Sequence, residues 1–226
     1  MDDSFHIELG NFPLDQYKET LKRSELIPSR RILQENTDER FSRLQAAGID
    51  NLEQLLAAMR NPGKIAELGE KTGLSPEYLT ILRREVNSLI PKPKYLREFP
   101  GVARSLVERL AGGNINNTRQ LLALAGTRQQ RSALAGQVHV EEEELLELVK
   151  LADLSRVYGV GPVFARLLLD SGIDSVAAIA GADPRHLFDA LAEAYLAAGN
   201  SRVDFQEKDI AFCIRMARRL PAAFEP

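Results

Sequence analysis

The sequence predicts an all-α protein assembled from three diverged copies of one helical unit. Apolar residues recur at steps of three and four along most of the 226 residues, which is the spacing of one face of an α-helix. Strand signals are missing, with no sustained apolar–polar alternation and no Asn-Gly hairpin between β-branched runs. One local plan also occurs three times: an apolar helix, a glycine, Ile, Asp or Asn, then a new apolar helix. It reads RLQAAGIDNLEQLLA at 43–57, RLAGGNINNTRQLLAL at 109–124 and RLLLDSGIDSVAAIAG at 166–181.

Taken in order, residues 1–12 carry little periodic signal and read as a loose terminus. From Pro13, the spacing of Leu14, Tyr17 and Leu21 predicts a first helix, and Pro28 marks a restart through Ile32 and Leu33. Asp38 to Ala47 gives the next helix, with Phe41 and Leu44 inward, closed by Gly48. At the three corners Gly48, Gly113 and Gly172 are the expected left-handed residues, and Asp50, Asn116 and Asp174 the expected N-caps. Asp50 with Glu53 has the spacing of a capping box. A second matching stripe follows each corner, as Leu79, Leu82, Val86, then Leu145, Leu148, Ala152, then Ile210, Cys213, Ala217. These helices are expected to start at Ser75-Pro76, at the acidic run Glu141–Glu144, and at Asp204 with Glu207. The repeat is about 65 residues long. Ile90-Pro91-Lys92-Pro93-Lys94 is the clearest break, because a proline disfavours helix at the residue before it. The expected division is therefore an N-terminal lobe over 1–91 with the most diverged repeat, and a domain over 92–226 holding the other two.

Composition narrows the function classes. A single cysteine, Cys213, rules out a disulfide framework or thiolate cluster within one chain. The start MDDSFHIELG is acidic, and no apolar run approaches the roughly 18 residues of a spanning helix, so the chain reads as soluble and cytoplasmic. A net charge of -3 gives no global reason to bind a polyanion. The charge is unevenly spread, however. From Pro91 to Val140 there are eight basic residues, Lys92, Lys94, Arg97, Arg104, Arg109, Arg119, Arg128 and Arg131, against Glu98 and Glu108, a local excess of six positive charges. A polyanion would meet this segment.

The sharpest local feature is LSRVYGVGPVFARLLLDSGID at 154–174, two helices joined by a hairpin at Gly159, Val160 and Gly161, with Pro162 suited to a helix start. Such a turn can aim backbone N–H groups at one phosphate oxygen, or simply let two helices pack closely. Both readings stay open, and Gly161 is expected to be too demanding for a β-branched residue. With Val157, Ala165 and Leu168, the hairpin resembles the helix-hairpin-helix motif of DNA-binding proteins. Those hairpins often carry Lys or Arg just past the turn, where this chain has Val163; Arg156 and Arg166 are the nearest cations. The second repeat offers only Phe99-Pro100-Gly101-Val102, and the first has no glycine from Gln34 to Asp38. A dinucleotide-binding reading of GVGPVF has little support, since no strand precedes it and the third glycine is missing.

The stretch from about Tyr95 to Leu220, above all LSRVYGVGPVFARLLLDSGIDSVAAIA and the preceding EEELLELVKLADL, resembles the bacterial family called domain of unknown function 4332, which is similar to helix-hairpin-helix proteins. The resemblance covers a little over half the chain. It implies a compact all-α unit and carries over no catalytic residue.

Other candidates point to structure. His6, His139 and His186 lie far apart with no helical partner spacing. Glu141–Glu144 is a dipole-matched helix start, and Cys213 falls on an apolar stripe. Arg215, Arg218 and Arg219 suit a helix C-terminus. No catalytic residue, metal, cofactor or small-molecule substrate is expected. The leading expectation is a non-enzymatic DNA-binding module contacting phosphates through Gly159, Val160 and Gly161, helped by Arg156, Arg166, Arg97 and Arg104. The alternative is a protein–protein adaptor. A continuous positive face around Gly161 would mark the first; arginines paired with carboxylates and an exposed apolar patch would mark the second.

Overall fold

The computed structural model describes residues 5–225, which are helical without a named strand. They divide into two compact units, residues 8–90 and residues 91–225 joined by 5–7. Residues 1–4 of the expected loose terminus lie outside the described residues. The remainder of it is not loose, since Phe5, Ile7 and Phe12 are all buried.

In the first unit, α1 (Leu14–Arg23) buries Leu14, Tyr17 and Leu21, the residues whose spacing predicts it. The restart at Pro28 is a 3₁₀ helix, Pro28–Gln34. Then follow α2 (Thr37–Ala46), α3 (Leu52–Ala58), α4 (Pro62–Thr72) and α5 (Pro76–Ser88). Ser75 caps α5 by accepting from Tyr78 N–H. Phe12, Tyr17 and Phe41 stack edge-on or tilted in the core, and Arg30 reaches the mostly buried Glu85 at 2.5 Å.

The second unit holds α6 (Arg104–Gly112), α7 (Thr118–Ala125), α8 (Arg128–Val138), α9 (Glu142–Leu154), α10 (Pro162–Asp170), α11 (Val176–Gly181), α12 (Pro184–Ala197) and α13 (Glu207–Ala217). Helix α9 packs against α7, α8 and α10, and α13 against α11 and α12. Seven residues of α9 are buried, including Leu145, Leu148 and Ala152. This helix is the axis of the unit's core. Helix α13 begins at Glu207 with Gln206 as its N-cap, two residues past the expected Asp204.

The three corners are built alike. Ile49 N–H donates to Leu44 O, Ile115 N–H to Leu110 O and Ile173 N–H to Leu168 O, at 2.9 to 3.2 Å. The preceding residues, Gly48, Asn114 and Gly172, donate to Gln45 O, Ala111 O and Leu169 O. This is the Schellman closure, with a left-handed residue before an apolar one that folds back on the helix. Two expectations are corrected. The left-handed residue of the middle corner is Asn114 (φ 63), and Gly113 has φ -89. The N-caps stand one residue beyond Asp50, Asn116 and Asp174: Asn51, Asn117 and Ser175 accept from Gln54, Gln120 and Ala178 N–H. The buried isoleucine takes up the turn, and one more extended residue is needed before the next helix. Gln54 and Gln120 accept the N–H groups of Asp50 and Asn116, and Gln120 also accepts Asn117 N–H to complete a capping box at the middle corner; at the first corner the returning side chain is Gln54, not Glu53.

Gly48 and Gly172 hold φ +85 and +82 in open space. Replacing either by Ala is therefore a pure backbone test, expected to cost about 1–2 kcal/mol in urea unfolding followed by circular dichroism. Gly113→Ala should change stability little. Equal losses at all three positions would overturn the assignment of Asn114 as the left-handed residue.

Candidate functional site

The hairpin at 157–161 is anchored from within. Val157 and Val160 are buried, and Val160 N–H donates to Val157 O at 3.0 Å. Between them Gly159 holds φ +83, where a Cβ would stand 3.7 Å from Cys213 Sγ. Cys213 donates to Tyr158 O at 3.2 Å, and burial pushes its thiol up to about 12, so this thiol is a packing group rather than a nucleophile. Gly161 is extended (φ -89, ψ 176), and nothing lies within 4 Å of a Cβ added there. The demanding glycine is Gly159, which corrects the expectation for Gly161.

The hairpin at 99–103 has the same backbone plan. Gly101 is left-handed (φ 76) and stands three residues before its helix, as Gly159 does. Ala103 takes the place of Gly161. In both hairpins the residue preceding the helix is extended and makes no side-chain cap bond. Helices α6 and α10, which follow these hairpins, have no side-chain N-cap bond, and α1, α2 and α9 also lack one. Helices α3, α4, α7, α8, α11 and α12 all have one. An uncapped first turn leaves backbone N–H groups for water or a ligand, at the positive end of the helix dipole.

The expected arginines take different positions. Arg156 is 1% exposed and does not face solvent. It pairs with Asp153, and its Nε and Nη2 donate to Phe5 O and Pro221 O at 3.3 and 2.7 Å. Asp153 in turn accepts Val176 N–H at 2.7 Å. Burial pushes the Asp153 carboxyl up and the Arg156 guanidinium down, each opposed by the other's charge. Arg166 is also engaged, donating to Pro100 O at 2.8 Å and Glu147 at 2.6 Å. It therefore braces the first of these hairpins against α10. Arg97 and Arg104 are exposed beside hairpin 99–103. Arg97 lies over the Tyr95 ring and Arg104 contacts Glu108 at 2.7 Å.

The rest of the basic segment is not one face. Arg131 is buried, donating to Ala125 O and Gly126 O, and Arg109 donates to His139 O. Arg218 donates to Ala180 O at 2.9 Å. Beside Gly161 the surface is apolar: Val163 is 67% exposed, and Phe164, Phe188 and Tyr195 meet Phe205 edge-on. Among the described residues no group of three or more His, Cys, Asp or Glu could hold a metal ion, and no helix is long and apolar enough to cross a membrane. Sequence reading missed Asp153. Its signal is a carboxylate one residue past Ala152 on the stripe, four after Val149 and three before an arginine.

Arg156→Ala should cost about 3–5 kcal/mol, because Asp153 would remain buried without its counter-charge. Asp153→Asn combined with Arg156→Leu should recover much of that loss, since the amide oxygen can still accept Val176 N–H. Thermal melts of the three proteins check this; an Arg156→Ala loss no larger than that of a surface arginine would contradict the burial.

Comparison with known proteins matches residues 100–220 to the family described as domain of unknown function DUF4332. No curated protein and no solved structure matches the chain.

Proposed function

The chain belongs to the DUF4332 family, whose description carries no activity, and we propose that it is a non-enzymatic nucleic-acid-binding module built from three diverged helix-hairpin-helix-like units. The observation behind this reading is the shared hairpin geometry: at 99–103 and 157–161 a left-handed glycine stands three residues before a helix whose first turn no side chain caps. A phosphate oxygen is the ligand such a turn suits, through N–H donors and the helix dipole. The hairpin at 99–103 is the principal contact, because Arg97 and Arg104 are exposed beside it. The Arg104–Glu108 pair is no obstacle, since exposed pairs at this spacing are worth only about 0.3–0.5 kcal/mol. The hairpin at 157–161 adds backbone donors without cations. Phosphate contacts of this kind orient a protein on nucleic acid without reading bases.

A carboxylate in the uncapped turn separates folding from binding. Ser105→Glu and Val163→Glu both place negative charge near a helix N-terminus, which favours the helix and repels phosphate. Both variants should keep or raise the melting temperature. In fluorescence anisotropy with a labelled duplex, wild-type affinity should fall as salt rises, and Ser105→Glu should weaken binding about tenfold, an order of 1.4 kcal/mol. No wild-type binding at low salt would overturn the reading.

A second reading, a protein–protein adaptor, is favoured by the engaged Arg166 and by exposed Val163 and Leu196 with the neighbouring ring cluster. It expects a partner captured after nuclease digestion by the wild type and by Ser105→Glu, but lost with Val163→Glu.

A further inference from the structure

Tyr95 is a large aromatic residue left 52% exposed on a backbone that is firmly held. Lys94 N–H donates to Thr118 Oγ1 at 3.1 Å and Lys94 O accepts Thr118 N–H at 2.9 Å. Leu96 N–H donates to Asn116 O at 3.0 Å. Thr118 and Leu96 are fully buried, so the backbone that carries Tyr95 is fixed from both sides and its ring is presented outward. The Arg97 guanidinium lies 4.8 Å from the ring centroid, a planar cation stacked on an aromatic. Exposed Lys92 and half-buried Lys94 precede it, with one acid, Glu98, nearby in sequence.

We propose that Tyr95 and Arg97 form a stacking platform for an unpaired base, so that the nucleic acid bound includes a single-stranded segment whose backbone follows Lys92 and Lys94. This rests on the nucleic-acid reading of the hairpins and goes beyond it, because hairpin N–H groups meet phosphates and do not distinguish paired from unpaired strands. An aromatic face accepts any base, but only one that has left the duplex stack. The adjoining cations supply the salt-dependent part of binding. Preorganisation matters here: a backbone already held in place loses little entropy when a base lands on the ring.

The experiment compares wild type, Tyr95→Ala and Tyr95→Phe with a labelled oligo-dT, a duplex and an abasic oligomer of equal length. Tyr95→Ala should weaken oligo-dT binding about tenfold, leave duplex binding and the melting temperature unchanged, and bring oligo-dT to the level of the abasic strand. Tyr95→Phe should keep wild-type affinity, since stacking needs the ring and not the hydroxyl. If Tyr95→Ala binds oligo-dT as wild type does, the platform is overturned while duplex binding leaves the hairpin reading standing. If the wild type binds no nucleic acid, both fall together.

Discussion

The second unit depends on one buried ion pair, Asp153 with Arg156. Two charges held out of water are costly, and they persist only when every donor and acceptor they bring is used. Asp153 takes the Arg156 guanidinium with one oxygen and Val176 N–H with the other. Arg156 also donates to Phe5 O and Pro221 O. Five separate segments are thereby fixed at one point: the end of α9, the turn that follows it, the start of α11, the N-terminal residues 5–7, and the chain after α13. Residues 5–7 belong to this unit for the same reason, with Phe5 buried in its core and its carbonyl engaged.

The pair also answers a need common to all three corners. The first N–H of the helix after each corner has no partner within that helix. At Leu52 it reaches Phe12 O, and at Thr118 it reaches Lys94 O, each on a short extended segment laid against the corner. At Val176 a carboxylate stands in the place of that carbonyl. One geometric requirement is met twice by backbone and once by a charged side chain, and the charged solution brings Arg156 with it. The residue that sequence reading offered to phosphate is consumed by folding.

What remains on the surface divides the two hairpins. The one at 99–103 keeps exposed Arg97 and Arg104 and borrows Arg166 as a brace, while the one at 157–161 is bordered by Val163 and the ring cluster around Phe205. Their shared backbone supports a shared ligand chemistry, and their different borders support different strengths of contact. The function proposed above lives on that difference, and Tyr95 extends the basic side of it.

The sequence by itself determined what is local. Steps of three and four apolar residues gave the helices, a left-handed residue followed by Ile gave the corners, and Pro162 and Ser75 marked true helix starts. These depend on backbone sterics and on bonds spanning a few residues, so the order of residue types is enough. Near misses, such as Asn114 for Gly113 and Asn51 for Asp50, came from motifs in which adjacent residues are both chemically able to fill the role. Only the tertiary structure decided which charged residues face water. Arg156, Arg131 and Arg166 look like Arg97 and Arg104 in sequence, and what separates them is the carbonyls and carboxylates that distant segments bring within reach. Exposure of a helix residue is set by what packs against that face, and no local spacing encodes it.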